Sequence, residues 1–340
     1  MDRKLAVALS FIIGVAAAAI IFTKVGLGQA LNTIWNAPLL AVIAYAAITF
    51  GIMALLVWRW RVIIKTQESH VPTFWQLFRY HLIGYAISYV TPGAKMGGEP
   101  VRAALLSRHK ESFKEAGSTV FVDKSVELTT SATFFAVGAA VLLLAHAMPT
   151  QAQELMIIMA VVLLVLIGFF YYLMFTGKDF LSQLFSLTML HKTRVGKKWV
   201  KHIKEFEQHI LDFYRKDPKH FLSTVGISSL SWALMFVEYA LIMVILGIPQ
   251  PSVLELFLVI TFIGAAYIIP LPMALGTLEA GQVSVFRMIG LPAAAGVGVA
   301  VVTRLKDIVL TVIGFACASY YGLHLGKDLK TILPINEKRK

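Results

Sequence analysis

Charge is what this sequence has least of. Asp, Glu, Lys and Arg make up 15% of its 340 residues, where ordinary soluble domains carry about 25%. With 58% hydrophobic residues and a mean hydropathy of +0.74, the chain has too little polar surface for a water-soluble globule. That composition points to a polytopic membrane protein. Cysteine is nearly absent: the one copy, Cys317, excludes a disulfide framework or a Cys-based metal site within one chain. HExxH, GxSxG and Walker sequences are missing as well, so no strong enzyme motif appears and no cofactor or metal is expected. Without a nucleotide-binding element, an ATP-driven pump would need a partner to supply the motor. Acidic residues are outnumbered, 19 against 31 basic, for a net charge of +12.

What the chain does have is long apolar runs. Those at 5–22, 39–58, 116–147, 152–175, 221–246 and 293–323 approach or exceed the ~20 residues that cross ~30 Å of hydrocarbon. Two shorter runs, 74–90 and 253–269, each lead straight into a Pro/Gly-rich segment. The first run, behind MDRK, has the layout of a secretory signal. Another span follows it at once, so its retention as a span is expected.

Basic residues crowd the N-terminus, 59–65, 108–114, 178–219 and 327–340, whereas the links 26–38, 148–153 and 247–252 have none. The positive-inside rule puts the first group, and with it both termini, in the cytoplasm. That assignment fails if every run is a full crossing. It holds if 74–90 enters, turns at TPGAKMGG and returns as 99–107, with 253–269, PLPMALG and 277–289 doing the same from the other side. The expected fold is therefore all-α, with six full spans and two re-entrant hairpins of opposite orientation.

An internal match supports two inverted halves. At a constant offset of 180, Pro92 aligns with Pro272, Glu99 with Glu279, Lys124 with Arg304 and Glu127 with Asp307. The expected organisation is one transmembrane domain over 1–340, with repeat one at about 1–147, repeat two at about 152–325 and a cytoplasmic amphipathic linker at 177–219. Irregular backbone at membrane depth needs protein or water to satisfy it. Pro92 ends the entering helix, Gly93, Gly97 and Gly98 permit a tight reversal, and Pro270, Pro272 and Gly276 serve the second turn.

TPGAKMGGEPVRAALL (91–106) and PLPMALGTLEAG (270–281) resemble the two signatures of the lysylphosphatidylglycerol synthase transmembrane family. That family includes the flippase domain of the multiple peptide resistance factor. The likeness covers roughly residues 5–325 and is well kept at Pro92, Gly97, Gly98, Glu99 and Arg102. In the second signature Gly276 and Glu279 remain, but Met273 and Ala274 stand where the family commonly has Gly-Gly. The resemblance implies lipid translocation between leaflets, best described for aminoacylated phosphatidylglycerol. The aminoacyl-transferase domain of fused relatives has no counterpart in the sequence, so synthesis of the lipid is not expected.

Several charges inside apolar runs are candidates for headgroup contact. Glu99 and Arg102 lie one helical turn apart. They form either a mutual ion pair fixing the hairpin or, with Lys95, a site where Arg102 receives a lipid phosphate. Asp123, Lys124 and Glu127 form a second cluster; Arg304, Lys306 and Asp307 are its counterpart. Lys124–Glu127 and Arg304–Asp307 could each close an internal i,i+3 pair. Glu279 has Gln282 where Glu99 has Arg102, so it reads as a carboxylate without that neighbour; Glu238 reads as another lone acid, and His81 as a packed histidine. Arg59, Arg61 and Lys65 beside Trp58 and Trp60 read as an interface anchor. In the linker, Trp199, Ile203, Phe206, Ile210 and Phe213 fall at helical steps opposite a lysine-rich face, as in a helix lying on an anionic leaflet.

The sequence thus points to a lipid flippase of the cytoplasmic (inner) membrane. A membrane-embedded transferase using Glu99 or Glu279 as a base, and a small-solute secondary transporter, remain open beside it. Membrane lipids are the expected partners, a homo-oligomer is left open, and nucleic acid is not expected.

Overall fold

The computed structural model describes residues 32, 35–67, 71–91, 96–109, 112–144, 150–177, 194–268 and 271–321. Among them every regular element is helical. They are α1 (Leu39–Gln67), α2 (Phe74–Val90), α3 (Glu99–Ser107), α4 (Phe113–Leu144), α5 (Thr150–Thr176), α6 (Arg194–Lys216), α7 (Pro218–Ile245), α8 (Val253–Ile268), α9 (Thr277–Met288) and α10 (Ala293–Tyr320). One 3-10 turn, Pro272–Ala274, precedes α9. The expected run at 5–22, and Pro92, Gly93, Lys95 and Pro270, lie outside the described residues.

Local chemistry sets several helix starts. Ser112 and Glu115 form a reciprocal capping box at α4: the Ser112 N–H donates to Glu115 Oε2 (3.1 Å) and the Glu115 N–H to Ser112 Oγ (3.2 Å). Ser252 and Glu255 repeat it at α8, at 2.6 and 3.3 Å. Asp217 caps α7 through the His220 N–H (3.3 Å), and Pro218 occupies the first helical position, where its missing N–H costs nothing.

Among the described residues three helical stretches are long and apolar enough to cross a membrane: Leu39–Thr66, Ile157–Thr176 and Pro218–Ile245. Helices α4 and α10 are as long, 32 and 28 residues, but carry the charge clusters around Asp123 and Arg304.

The chain forms two compact units. Unit 1 comprises Met1–Phe50, Trp75–Ala104 and Phe236–Lys340; unit 2 comprises Gly51–Phe74 and Leu105–Met235. Each draws on both halves of the sequence.

Unit 1 contains two helical hairpins. In the first, α3 folds back on α2 so closely that the Gly98 N–H donates to Ser88 Oγ at 2.8 Å. A Cβ at Gly98 would stand 1.9 Å from the Gly84 carbonyl oxygen, and one at Gly97 would stand 1.9 Å from Thr91 Oγ1. At Gly97 and Gly98 there is no room for a side chain. Gly98→Ala pushes backbone against backbone and is expected to destabilise by about 1–3 kcal/mol or more. A lowered melting temperature of the detergent-purified protein would register it. Gly226→Ala, with nothing within 4 Å of the new Cβ, is the control.

In the second hairpin α9 folds back on α8. Thr277 Oγ1 donates to the Ala266 carbonyl (3.1 Å) and Gln282 Nε2 to the Val259 carbonyl (3.2 Å). Helix α10 packs on both hairpins: a Cβ at Gly296 would meet the Gln282 carbonyl oxygen at 2.6 Å, and one at Gly314 the Leu82 carbonyl oxygen at 2.3 Å.

Unit 2 is built around an aromatic and aliphatic core. Ile63 of α1, Val122 and Val126 of α4, Leu173 and Met174 of α5 and Ile210, Phe213 and Tyr214 of α6 are its buried centre. Tyr214 and Tyr171 share hydroxyl hydrogen bonds with Ser125 and Thr129, both at 2.7 Å. The apolar face of α6 from Phe206 to Tyr214 therefore covers α4 and α5 rather than lying on a leaflet, as the sequence pattern had suggested. An amphipathic period does not say whether the greasy face meets lipid or protein.

Candidate functional site

Helix α10 carries three charges within one turn, and each reaches a different partner in unit 1. Arg304 donates from Nη2 to Glu279 Oε2 at 2.8 Å and from Nε to the other carboxylate oxygen. Its Nη1 also reaches the Met273 carbonyl (3.0 Å) and its Nη2 the Ala274 carbonyl (3.2 Å). Glu279 is fully buried, and its Oε2 also accepts the Gly276 N–H at 3.0 Å. Its place in the first turn of α9 gives the carboxylate the positive end of that helix. A guanidinium fork suits this work, because it holds a carboxylate bidentately and has donors left for carbonyls.

Those two carbonyls belong to left-handed residues: φ is 57° at Met273 and 48° at Ala274. Such backbone costs a non-glycine residue ~1–2 kcal/mol. The turn keeps the shape that Gly-Gly would take without strain, and Arg304 clamps it. The pairing also corrects two expectations. Glu279 has a cation, contributed by another helix, and Arg304 does not close an i,i+3 pair with Asp307.

Asp307 instead accepts hydroxyl hydrogen bonds from Tyr85 of α2 at one oxygen and Tyr267 of α8 at the other. One carboxylate on α10 thus ties both hairpins. Lys306 turns away to Glu238, at 3.1 and 3.2 Å from its two oxygens, and Thr49 donates to the same carboxylate at 2.6 Å. Glu238, expected to stand alone, is thereby paired. The ends of the two hairpins meet: Ser88, Tyr89 and Thr91 from the first and Tyr267, Leu271, Met273 and Ala274 from the second line a polar void of about 10 Å³. Arg102 is buried, its side chain against Gly84, while Glu99 is half-buried in the first turn of α3. His81 is buried, as its reading as a packed histidine requires.

Unit 2 holds a second buried cluster. Arg59 Nε donates to Asp123 Oδ1 at 2.7 Å, Nη2 to Glu127 Oε2 at 3.1 Å and Nη1 to Ser228 Oγ at 3.1 Å. Lys124 and Glu127 do close their i,i+3 pair, at 2.7 Å. Arg59 and Trp60 are accordingly core residues, not the interface anchor read from the sequence. Trp60 is fully buried and its indole N–H donates to Thr119 Oγ1 (3.2 Å), whereas Trp58 stays half exposed. A signal for Arg59 existed: Asp123 and Glu127 share a helix face at i,i+4 with one lysine between them, so the cluster wanted a second cation.

A family model described as the lysylphosphatidylglycerol synthase TM region matches residues 5–314. The chain belongs to that family. Two relatives match the chain over most of their length. A UPF0104 membrane protein of Methanothermobacter thermautotrophicus is 25% identical over 336 residues, covering 95% of this chain and 97% of the relative. Another, from Pyrococcus horikoshii, is 23% identical over 320 residues, covering 87% and 91%. No solved structure matches. Within this lysylphosphatidylglycerol synthase TM-region protein, Glu99 and Glu279, aligned by the internal offset, both fall in the first turn of the helix that follows a hairpin turn. Among the described residues no group of His, Cys, Asp and Glu is arranged to hold a metal ion.

Proposed function

We propose that the protein translocates a phospholipid or lipid-linked headgroup across the cytoplasmic (inner) membrane, with both termini in the cytoplasm. The observation that carries this reading is the gathering of buried charge about the ends of two helical hairpins in unit 1. Arg304–Glu279 and Asp307 lie there, and Lys306–Glu238 is buried on the same turn of α10, in a chain with few charges to spend. A charged side chain at the bilayer centre costs about 2.5–3.5 kcal/mol on the lenient scale, so such groups are kept where they serve a polar cargo. The two hairpins are the re-entrant elements of opposite orientation in this reading, one opening to each side, as alternating access requires. Family membership supports a lipid cargo, and the mixture of cations and carboxylates suits a headgroup bearing both signs.

The test is mass spectrometry of lipids retained by the gently purified protein, natural chain against Arg102→Ala. Enrichment of one lipid class, lost by at least several-fold in the variant while the fold survives, is the expected result; a leaflet-exposure assay with that lipid follows. Bound lipids that mirror the host membrane in both proteins would overturn the assignment of Arg102. Appearance of a covalently altered lipid would instead favour a transferase.

A further inference from the structure

We propose that Asp307 is a proton-binding site whose occupancy couples a proton gradient to the movement of the two hairpins. The coupling rests on the translocation reading above; the proton site does not. Asp307 is 1% exposed and accepts from Tyr85 of one hairpin and Tyr267 of the other. The cations of its own helix are engaged elsewhere, Arg304 with Glu279 and Lys306 with Glu238. The other titratable groups near enough to feel its charge are Tyr45 of α1, Tyr89 of α2 and Tyr239 of α7. Lys306 is near enough to feel its charge as well, but the carboxylate's own hydrogen bonds come from hydroxyls rather than from a cation.

That difference decides what the group can do. A carboxylate locked to a guanidinium loses its partner's attraction on protonation, as Glu279 would. A hydroxyl both donates and accepts, so a carboxyl held by two tyrosines stays hydrogen-bonded in either state. A second observation supplies the remaining part. Tyr89 is 2% exposed, its hydroxyl lies beside Arg304 without a hydrogen bond of good geometry, and it lines the polar void together with Tyr267. A space of about 10 Å³ accommodates roughly one water, and Ser88 and Thr91 border it too.

The step balances simply. A hydronium ion gives its proton to one Asp307 oxygen, leaving water and a neutral carboxylic acid. The new O–H donates to a tyrosine oxygen, and that tyrosine turns its own hydrogen toward the void and Tyr89. The bond to one hairpin is reversed while the other persists. A symmetric tie between α10 and both hairpins becomes an asymmetric one, which is the change that alternating access needs.

Infrared difference spectra of the full chain in lipid bilayers, stepped from mildly alkaline to mildly acidic pH, test the site directly. The expected result is a carbonyl band of a protonated carboxyl that appears on acidification and is missing in Asp307→Asn. A band unchanged by that substitution overturns the proposal. Should Asp307→Asn fail to fold, Tyr85→Phe with Tyr267→Phe removes both donors to the carboxylate. The band should then shift in frequency, because the carboxyl has lost both hydroxyl partners; a band at unchanged frequency again overturns it. Fluorescent-phospholipid transport in the same bilayers separates the two readings. Transport accelerated several-fold by an imposed pH difference, with the acceleration lost in Asp307→Asn, supports the coupling. Transport indifferent to the gradient in the natural protein overturns coupling and leaves lipid translocation standing. If no lipid moves at all, the translocation reading fails, and the infrared band alone decides the proton site.

Discussion

Replacing Arg304 with methionine is expected to cost on the order of 3–5 kcal/mol, because it leaves Glu279 charged, fully buried and without its cation. Two further losses add to this. The Met273 and Ala274 carbonyls lose their donors, and the left-handed turn loses the clamp that holds it. The double variant Arg304→Met/Glu279→Gln should recover much of the loss, since no unpaired charge remains, yet should not recover all of it. The Gly276 N–H and the two carbonyls depend on the original groups. Thermal unfolding of the four proteins in one detergent forms the cycle. Additive losses would mean that the pair is not the source of the effect.

Arg59→Met should be of similar size, about 3–5 kcal/mol, but its damage should fall in unit 2. Asp123 is fully buried there and takes the shortest of the arginine's three bonds, 2.7 Å. Glu127 is a third exposed and keeps Lys124, so it contributes less to the loss. Hydrogen-exchange mass spectrometry distinguishes the two arginines. Arg59→Met should raise exchange in Phe113–Leu144 and in the first half of α7, where Ser228 sits, whereas Arg304→Met should raise it around 271–288. Exchange that rises uniformly in both variants would show that the units do not unfold separately.

The helix ends and the hidden charge partners were legible to different degrees, for a physical reason. The end of α2 at Val90 and the start of α3 at Glu99 fall where proline and glycine punctuate the sequence, with Glu99-Pro100 opening the second helix. Ser112 and Ser252 announce α4 and α8 through boxes whose members are three residues apart. Such signals are local. Ion-pair partners are not: Arg304 finds Glu279 at a separation of 25, Arg59 finds Asp123 at 64, and Lys306 finds Glu238 at 68. Spacing on a helix sees only i,i+3 and i,i+4 neighbours. It recovered Lys124–Glu127, missed Arg59 and left Glu279 and Glu238 looking solitary. The tyrosines of Asp307 were invisible for the same reason, since a tyrosine in an apolar run reads as core until its hydroxyl has somewhere to go.

Unit 1 is assembled from three separated stretches of chain, and that has a consequence for its birth at the ribosome. Tyr85 precedes Asp307 by 222 residues. At cellular synthesis rates the first hairpin waits on the order of ten seconds or more for the helix that ties it down. During that interval α2 and α3 hold buried polar groups without α10. Most of unit 2 is an unbroken stretch, Leu105–Met235, and is made while the first hairpin waits. Because Arg304, Lys306 and Asp307 arrive together within one turn, the last helix delivers the fastening of both hairpins in a single late event. A nascent chain halted before α10 would present the cell with two unfastened hairpins at once, a well-defined target for membrane quality control.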